Sequence, residues 1–306
     1  MSSQHNIVLT YILLVFIWST TPLAIVWTVS DLNVMWALLL RFFIALPLAA
    51  LLLLVLKIKF PVDRVALHSY VAGAFSLVGS QAFTYAAAQY LSSGMLALMF
   101  GLAPIMAGLI GRFVFGQHLQ RVQWFGMLVA VCGLGIICFM NDAGQQIHPL
   151  GIGLMLVSVF NYALSIFWVK KIAAKVEPMA QATGSILVSS LVMLLFIPFI
   201  WQYIPDHLPS TKSLSALLYT VVMASLIAMF CYFKLVQNIQ ATTLSLTTVM
   251  TPMLAMLFGA LFNREQPSAW VFVGALVLIG GVMLYFYQDL VASRRRAQRL
   301  KQLNMR

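Results

Sequence analysis

Two cations, Arg41 and Lys234, stand inside long apolar runs of this chain, and no carboxylate stands deep in a run with them. Asp31, Asp63, Asp142, Glu177 and Asp206 fall between runs, Asp289 at the end of the last, and Glu265 at the end of the ninth. Proton- and cation-coupled sites in a membrane use a carboxylate to exchange the proton or pair the cation. A cation-driven pump of that design is therefore disfavoured, which leaves Glu265, near one surface, as the candidate coupling acid. Arg41 lies about 12 Å inside its run, at about 1.5 Å per residue, where a charge is costly unless paired or hydrated. An anion or carboxylate partner is the functional reading, and bonding to helix carbonyls or an interfacial partner is the structural one, which is favoured. Lys234 is close enough to the end of the eighth run for its stem to snorkel to water. If both cations face one cavity, they favour a substrate with a carboxylate.

A looser set of uncharged groups accompanies them. Trp18 and Thr21 are on the first run, Gln81 and Tyr85 on the third, Met99 on the fourth, and Asn161 and Tyr162 on the sixth. Tyr232 is on the eighth, and Thr247 and Thr251 lie just before Pro252 on the ninth. Hydroxyls, amides and aromatic faces suit a small zwitterion or a planar amphiphile. Taken singly, such residues more often bond their own backbone or anchor a helix at the interface. This is binding chemistry. The chain has no H-E-x-x-H and no G-x-S-x-G. Its histidines, His5, His68, His118, His148 and His207, show no ligand spacing, and Cys132, Cys138 and Cys231 all sit in apolar runs. The expectation is no catalytic residue, no metal and no cofactor.

The elements that must position these groups are membrane helices. In 306 residues, 62% are hydrophobic and only 8% charged, too little polar surface to coat a soluble globule. Runs long enough to span occur at roughly 7–28, 34–56, 67–89, 92–113, 122–140, 150–169, 179–203, 213–237, 241–262 and 269–288. The sequence predicts an all-α polytopic protein of ten helices. Leu98 to Gly133, shifted by 148 positions, lies on Leu246 to Gly281 and aligns Pro104 with Pro252, Gly126 with Gly274 and Gly133 with Gly281. A weaker match with offset 144 places Phe16 on Phe160. The chain thus reads as two copies of one unit, 1–143 and 144–290, followed by a basic tail, 291–306. Each proline falls near mid-membrane, where its ring removes a backbone bond and can bend the helix toward a cavity. The glycines of the fifth and tenth runs, with Ala130 and Gly280, are faces for close helix packing.

The formal net charge of +11 reports orientation rather than nucleic-acid binding. If the N-terminus is cytoplasmic, the inner loops hold Lys57, Lys59, Arg64, Arg112, Arg121, Lys170, Lys171 and Lys175. The tail adds Arg294, Arg295, Arg296, Arg299, Lys301 and Arg306, whereas the outer loops hold only Lys212 and Arg264. Both termini are predicted inside, and with five helices per copy the second copy must be inverted, an architecture of secondary transporters.

Trp18-Ser19, Arg41-Phe42, the proline of the fourth helix, and Glu265 with Pro267, Gly274 and Gly280-Gly281 resemble the drug/metabolite transporter superfamily, EamA type. The resemblance covers nearly the whole chain. It implies two inverted five-helix repeats, a central cavity lined by the first, third, fourth, sixth, eighth and ninth helices, and metabolite export from the bacterial cytoplasm. The chain departs from the family pattern at Gln117, where Glu is frequent, and at Tyr162, where Trp is frequent. The expected function is a bacterial inner-membrane secondary transporter exporting small metabolites, amino acids or related amphiphiles, as a monomer or homodimer in the lipid bilayer. Efflux of toxic organic compounds is the alternative within the fold, and a non-transporting membrane scaffold the alternative of another class.

Overall fold

A computed structural model describes residues 3–116, 118–139, 148–205, 207–238 and 247–287, and these are helical apart from short connections. Gln117, Asp142, Asp206, Asp289 and the basic tail lie outside the described residues. The first part of the chain forms α1 (Ser3–Thr28), α2 (Val34–Val55) and α3 (Arg64–Ala74). A π-helical stretch, Phe75–Gly79, joins α3 to α4 (Ser80–Ala87), and α5 (Ser93–Phe100), α6 (Ala103–Phe115) and α7 (Arg121–Phe139) follow. The later part forms α8 (Pro149–Ile172), α9 (Pro178–Ile200) and α10 (Thr211–Tyr219). A second π-helical stretch, Thr220–Ile227, leads into α11 (Ala228–Asn238), and α12 (Thr247–Asn263) and α13 (Ala269–Tyr285) complete the described chain.

Caps set the helix starts. Asn33, Asp63, Ser92, Ser210 and Ser268 each accept a backbone N–H of the first turn that no helical carbonyl can reach. Gly116, at φ 65°, ends α6 in the left-handed conformation that glycine adopts without strain.

Among the described residues, seven helices have the length and apolar composition of a membrane span. Three of the ten expected spans are not among these seven. Arg64 to Ala87 is one helical run, more polar than those seven, and its polar groups are met inside the protein. Ser69 donates to Gln181, while the hydroxyls of Ser80 and Thr84 both bond that of Ser158. Met250–Asn263 and Ala269–Tyr285 are two further apolar helices, shorter over the described residues.

Helix α7 packs on α13 through the paired glycines. A Cβ on Gly126 would fall 2.7 Å from the Gly281 carbonyl oxygen, and one on Gly133 would fall 2.7 Å from that of Gly274. Residue 126 therefore meets 281 and residue 133 meets 274, which makes the two helices antiparallel. Gly280 faces open space, so it takes no part in this contact. The remaining helices interleave. Helix α1 packs on α10, α11 and α12, whereas α8 packs on α3, α4 and α6. The first helix of each part thus lies against the third and fourth of the other, and a cavity opens between them.

Candidate functional site

The cavity has a volume of about 130 Å3. Trp18, Thr21 and Pro22 of α1 form one wall, with Gln81 and Thr84 of α4 and Tyr162 of α8 opposite other parts of the lining. Phe100, Gly101 and Ala103 enter where the fourth run is interrupted, since α5 ends at Phe100 and α6 begins at Ala103. Pro104 lies in the first turn of α6 and does not itself line the cavity, whereas Pro252, inside α12, does. Ser76 and Ala224, one from each π-helical stretch, reach the lining from the two halves of the chain.

Arg41 is 2% exposed and also lines the cavity. Its Nε donates to Ser225 Oγ at 2.9 Å, and its Nη1 donates to Gln81 Oε1 at 3.1 Å and Tyr85 Oη at 3.3 Å. The guanidinium stands 5.7 Å from the centre of the Tyr85 ring. The partners are thus neutral side chains of the third and eighth runs. Ser225 belongs to the second π-helical stretch.

Aromatic side chains make the rest of the site. Trp18 lies 5.4 Å from Tyr232, centre to centre, and Phe100 meets Tyr162 edge-on at 5.9 Å. The Tyr162 and Tyr232 hydroxyls share a hydrogen bond. Thr21 donates to the Ile17 carbonyl within its own helix, while Thr251 Oγ1 is buried with no hydrogen-bond partner among the described residues.

Of the residues singled out from sequence, Trp18, Thr21, Arg41, Gln81, Tyr162, Thr251 and Pro252 converge on the cavity. Tyr85 and Tyr232 stand one layer behind, bonded to Arg41 and Tyr162 respectively. Met99 and Asn161 do not reach it. Each neighbours a lining residue, and one residue along a helix rotates a side chain by about 100°. Met99 is fully buried in the core, and Asn161 Nδ2 donates to the Gly79 carbonyl at 3.5 Å. Thr247 is buried outside the lining, and the side chain of Thr248 lies outside the described residues. Lys234 lies 5.8 Å from the Phe230 ring centre and is not part of the lining. Phe100, Ser76, Met229 and Pro22 line the cavity without having been singled out as binding residues. For Pro22, the mid-helix proline argument applied to Pro104 and Pro252 is a usable signal.

Glu265 sits away from the cavity as a cap. It accepts from the Ser93 and Gly94 backbone N–H groups at 3.0 and 3.3 Å and from Asn263 Nδ2 at 3.0 Å. Nearby, Trp27 Nε1 donates to Asn263 Oδ1 at 2.8 Å, and Lys212 Nζ stands 4.5 Å from the centre of the Trp27 ring. Asp31 accepts from the Ser210 hydroxyl and backbone N–H, bonds that hold its carboxyl below the usual carboxylate range. This polar network ties the C-terminal end of α1 to α10 and α12.

Among the described residues no group of histidines, cysteines and carboxylates could hold a metal ion. A buried, partly aromatic cavity with one cation has the composition of small-molecule sites in general. The EamA-like transporter family model matches the chain twice, over residues 5–139 and 149–287. The chain belongs to the EamA-like transporter family. It is 24% identical to protein PecM of Dickeya dadantii over 288 residues, 94% of each chain. It is 26% identical over 223 residues to the inner membrane transporter YedA of Escherichia coli, covering 72% of this chain and 71% of YedA. Against two further curated relatives the match spans 62% and 54% of their length. A solved crystal structure of a protein 19% identical superposes with a TM-score of 0.61, covering 95% of this chain and 98% of that one, which is a likeness of fold. This EamA-like chain is thus a multi-pass membrane protein of a transporter family.

Proposed function

We propose that the chain is a secondary-active transporter of the bacterial inner membrane that exports small metabolites, such as amino acids or related amphiphiles, by alternating access. In this reading residues 1–143 and 144–290 are inverted five-helix repeats, ten helices in all, with both termini cytoplasmic. The observation that carries it is the cavity between the two parts, lined by α1, α2 and α4 on one side of the repeat boundary and α8 and α12 on the other. Inverted repeats place their binding site at the interface between them, where rocking of one against the other exposes it alternately to each face. The antiparallel contact of α7 with α13 supports the inversion, since these are the last helices of the two units. The double family match supports the repeat.

Counterflow in proteoliposomes tests the reading. Vesicles holding purified protein and preloaded with an unlabelled metabolite accumulate the same labelled metabolite, and Trp18→Ala or Tyr162→Ala lowers the initial rate by about tenfold, the loss of roughly 1.4 kcal/mol of aromatic contact. Absence of exchange across a broad metabolite panel sinks it.

A further inference from the structure

Arg41 is the one charged side chain among the described residues that line the cavity. Its three described hydrogen bonds go to neutral acceptors on Ser225, Gln81 and Tyr85. These engage Nε and Nη1, and Nη2, with its two N–H donors, has no protein partner among the described residues. Arginine cannot relieve its burial by losing a proton. A fixed, nearly inaccessible cation with no counter-ion among the described residues is costly in a membrane protein until an anion reaches it. The described carboxylates stand elsewhere. Asp63 caps α3 and Glu177 precedes α9, while Asp31 and Glu265 belong to the polar network at the C-terminal end of α1.

The rest of the lining describes the remainder of such an anion. Trp18, Phe100 and Tyr162 present aromatic surface, and among the described lining residues no carboxylate stands ready to receive an ammonium group. A volume of about 130 Å3 compares with the ~150 Å3 cavity that holds a benzene molecule. Thr251 Oγ1 supplies a second, unpartnered polar atom in the wall formed by α12.

We infer that the substrate is an organic monocarboxylate with an apolar body of about one ring, its carboxylate seated on Arg41 Nη2 and its body against Trp18, Phe100 and Tyr162. This rests on the proposed reading of the cavity as the transport site and narrows its substrate class. Gln81 holds the guanidinium in place as a neutral acceptor. A carboxylate at position 81 would pair with Arg41 from within the protein and displace the substrate's anion.

The test is calorimetric titration of the detergent-solubilised full chain with 3-phenylpropanoate, its uncharged amide and 3-phenylpropylamine. A charge-assisted hydrogen bond predicts that the acid binds at least about tenfold more tightly than the amide, and that the amine binds more weakly than either. Gln81→Glu is expected to abolish the preference for the acid without lowering the melting temperature, because it adds an ion pair to the fold. Arg41→Gln is expected to abolish it as well, and comparison of the three ligands on the unaltered chain needs no variant to fold. Acid and amide binding within threefold of each other, no binding of the acid, tighter binding of the amine, or a preference that survives Gln81→Glu would each overturn the inference. Counterflow of 3-phenylpropanoate separates the two readings. Binding with the expected preference but no flux refutes transport and leaves the anion site standing, whereas flux of other metabolites without the preference does the reverse.

Discussion

Glu265 shows how a residue that looks like chemistry can be architecture. Its carboxylate satisfies two N–H groups in the first turn of α5, where no helical carbonyl is available and the positive end of the helix favours an anion. Gly259 is small for the same reason, since a Cβ there would strike the Glu265 carboxylate and the Ser93 hydroxyl. Glu265→Ala is therefore expected to cost about 1–3 kcal/mol, the loss of a half-buried cap, read as a lower melting temperature in detergent. Glu265→Gln keeps an acceptor oxygen and is expected to lose about 1 kcal/mol or less. A coupling acid predicts the opposite pattern, a fold unharmed by the Gln variant and concentrative transport abolished. Measuring melting and transport on the same two variants decides between cap and coupling group. At this scale the sequence was informative about residue type and weak on direction. Trp18, Gln81 and Tyr162 reach the cavity while Met99 and Asn161, each one position from a lining residue, do not. Helices that are apolar around most of their circumference carry no stripe to say which face looks inward.

At the scale of elements, the glycine faces of α7 and α13 were legible because closely packed helices need small residues at recurring positions. Which helix they meet was not, since nothing local marks one small-residue face as the partner of another. The structure pairs 126 with 281 and 133 with 274, each glycine against the copy of the other. The atoms a new methyl group would strike at Gly133 are backbone atoms of α13, which cannot rotate aside. Gly133→Ala is expected to push the helices apart and destabilise the protein by about 1–3 kcal/mol, the usual cost of overpacking. Gly280→Ala and Gly135→Ala, with open space at each position, are expected to be neutral or to stabilise by up to ~1 kcal/mol through helix propensity. Equal destabilisation at all three positions would refute the pairing. The π-helical stretches were invisible in sequence, because one extra residue in a turn leaves the apolar run unbroken. Yet both contribute to the site: Ser76 and Ala224 line the cavity, and Ser225, in the stretch Thr220–Ile227, accepts from Arg41.

For the whole molecule, the repeat and the charge asymmetry predict one orientation, and the structure supplies sites at which to measure it. Lys57 and Lys59 follow α2, Lys175 follows α8, and Lys212 lies at the start of α10. If the N-terminus is cytoplasmic, α1 and α2 return the chain to the inner face at Lys57, and Lys175, after α8, is also inside. Lys212 then stands outside with Trp27, over whose ring its amine lies. Single cysteines at positions 57, 175 and 212, placed in a chain whose Cys132, Cys138 and Cys231 are replaced by alanine, report this with a membrane-impermeant maleimide. Position 212 is expected to label in intact cells, and positions 57 and 175 only after permeabilisation. The pair 57 and 212 is the decisive comparison, because the alignment of the two halves places both beside the third helical run of a repeat, one after α2 and one at the start of α10. Opposite accessibility is what an inverted repeat requires. Labelling of both from the same face would mean that the two units enter the membrane in the same direction, and alternating access by rocking of inverted halves would fail with it.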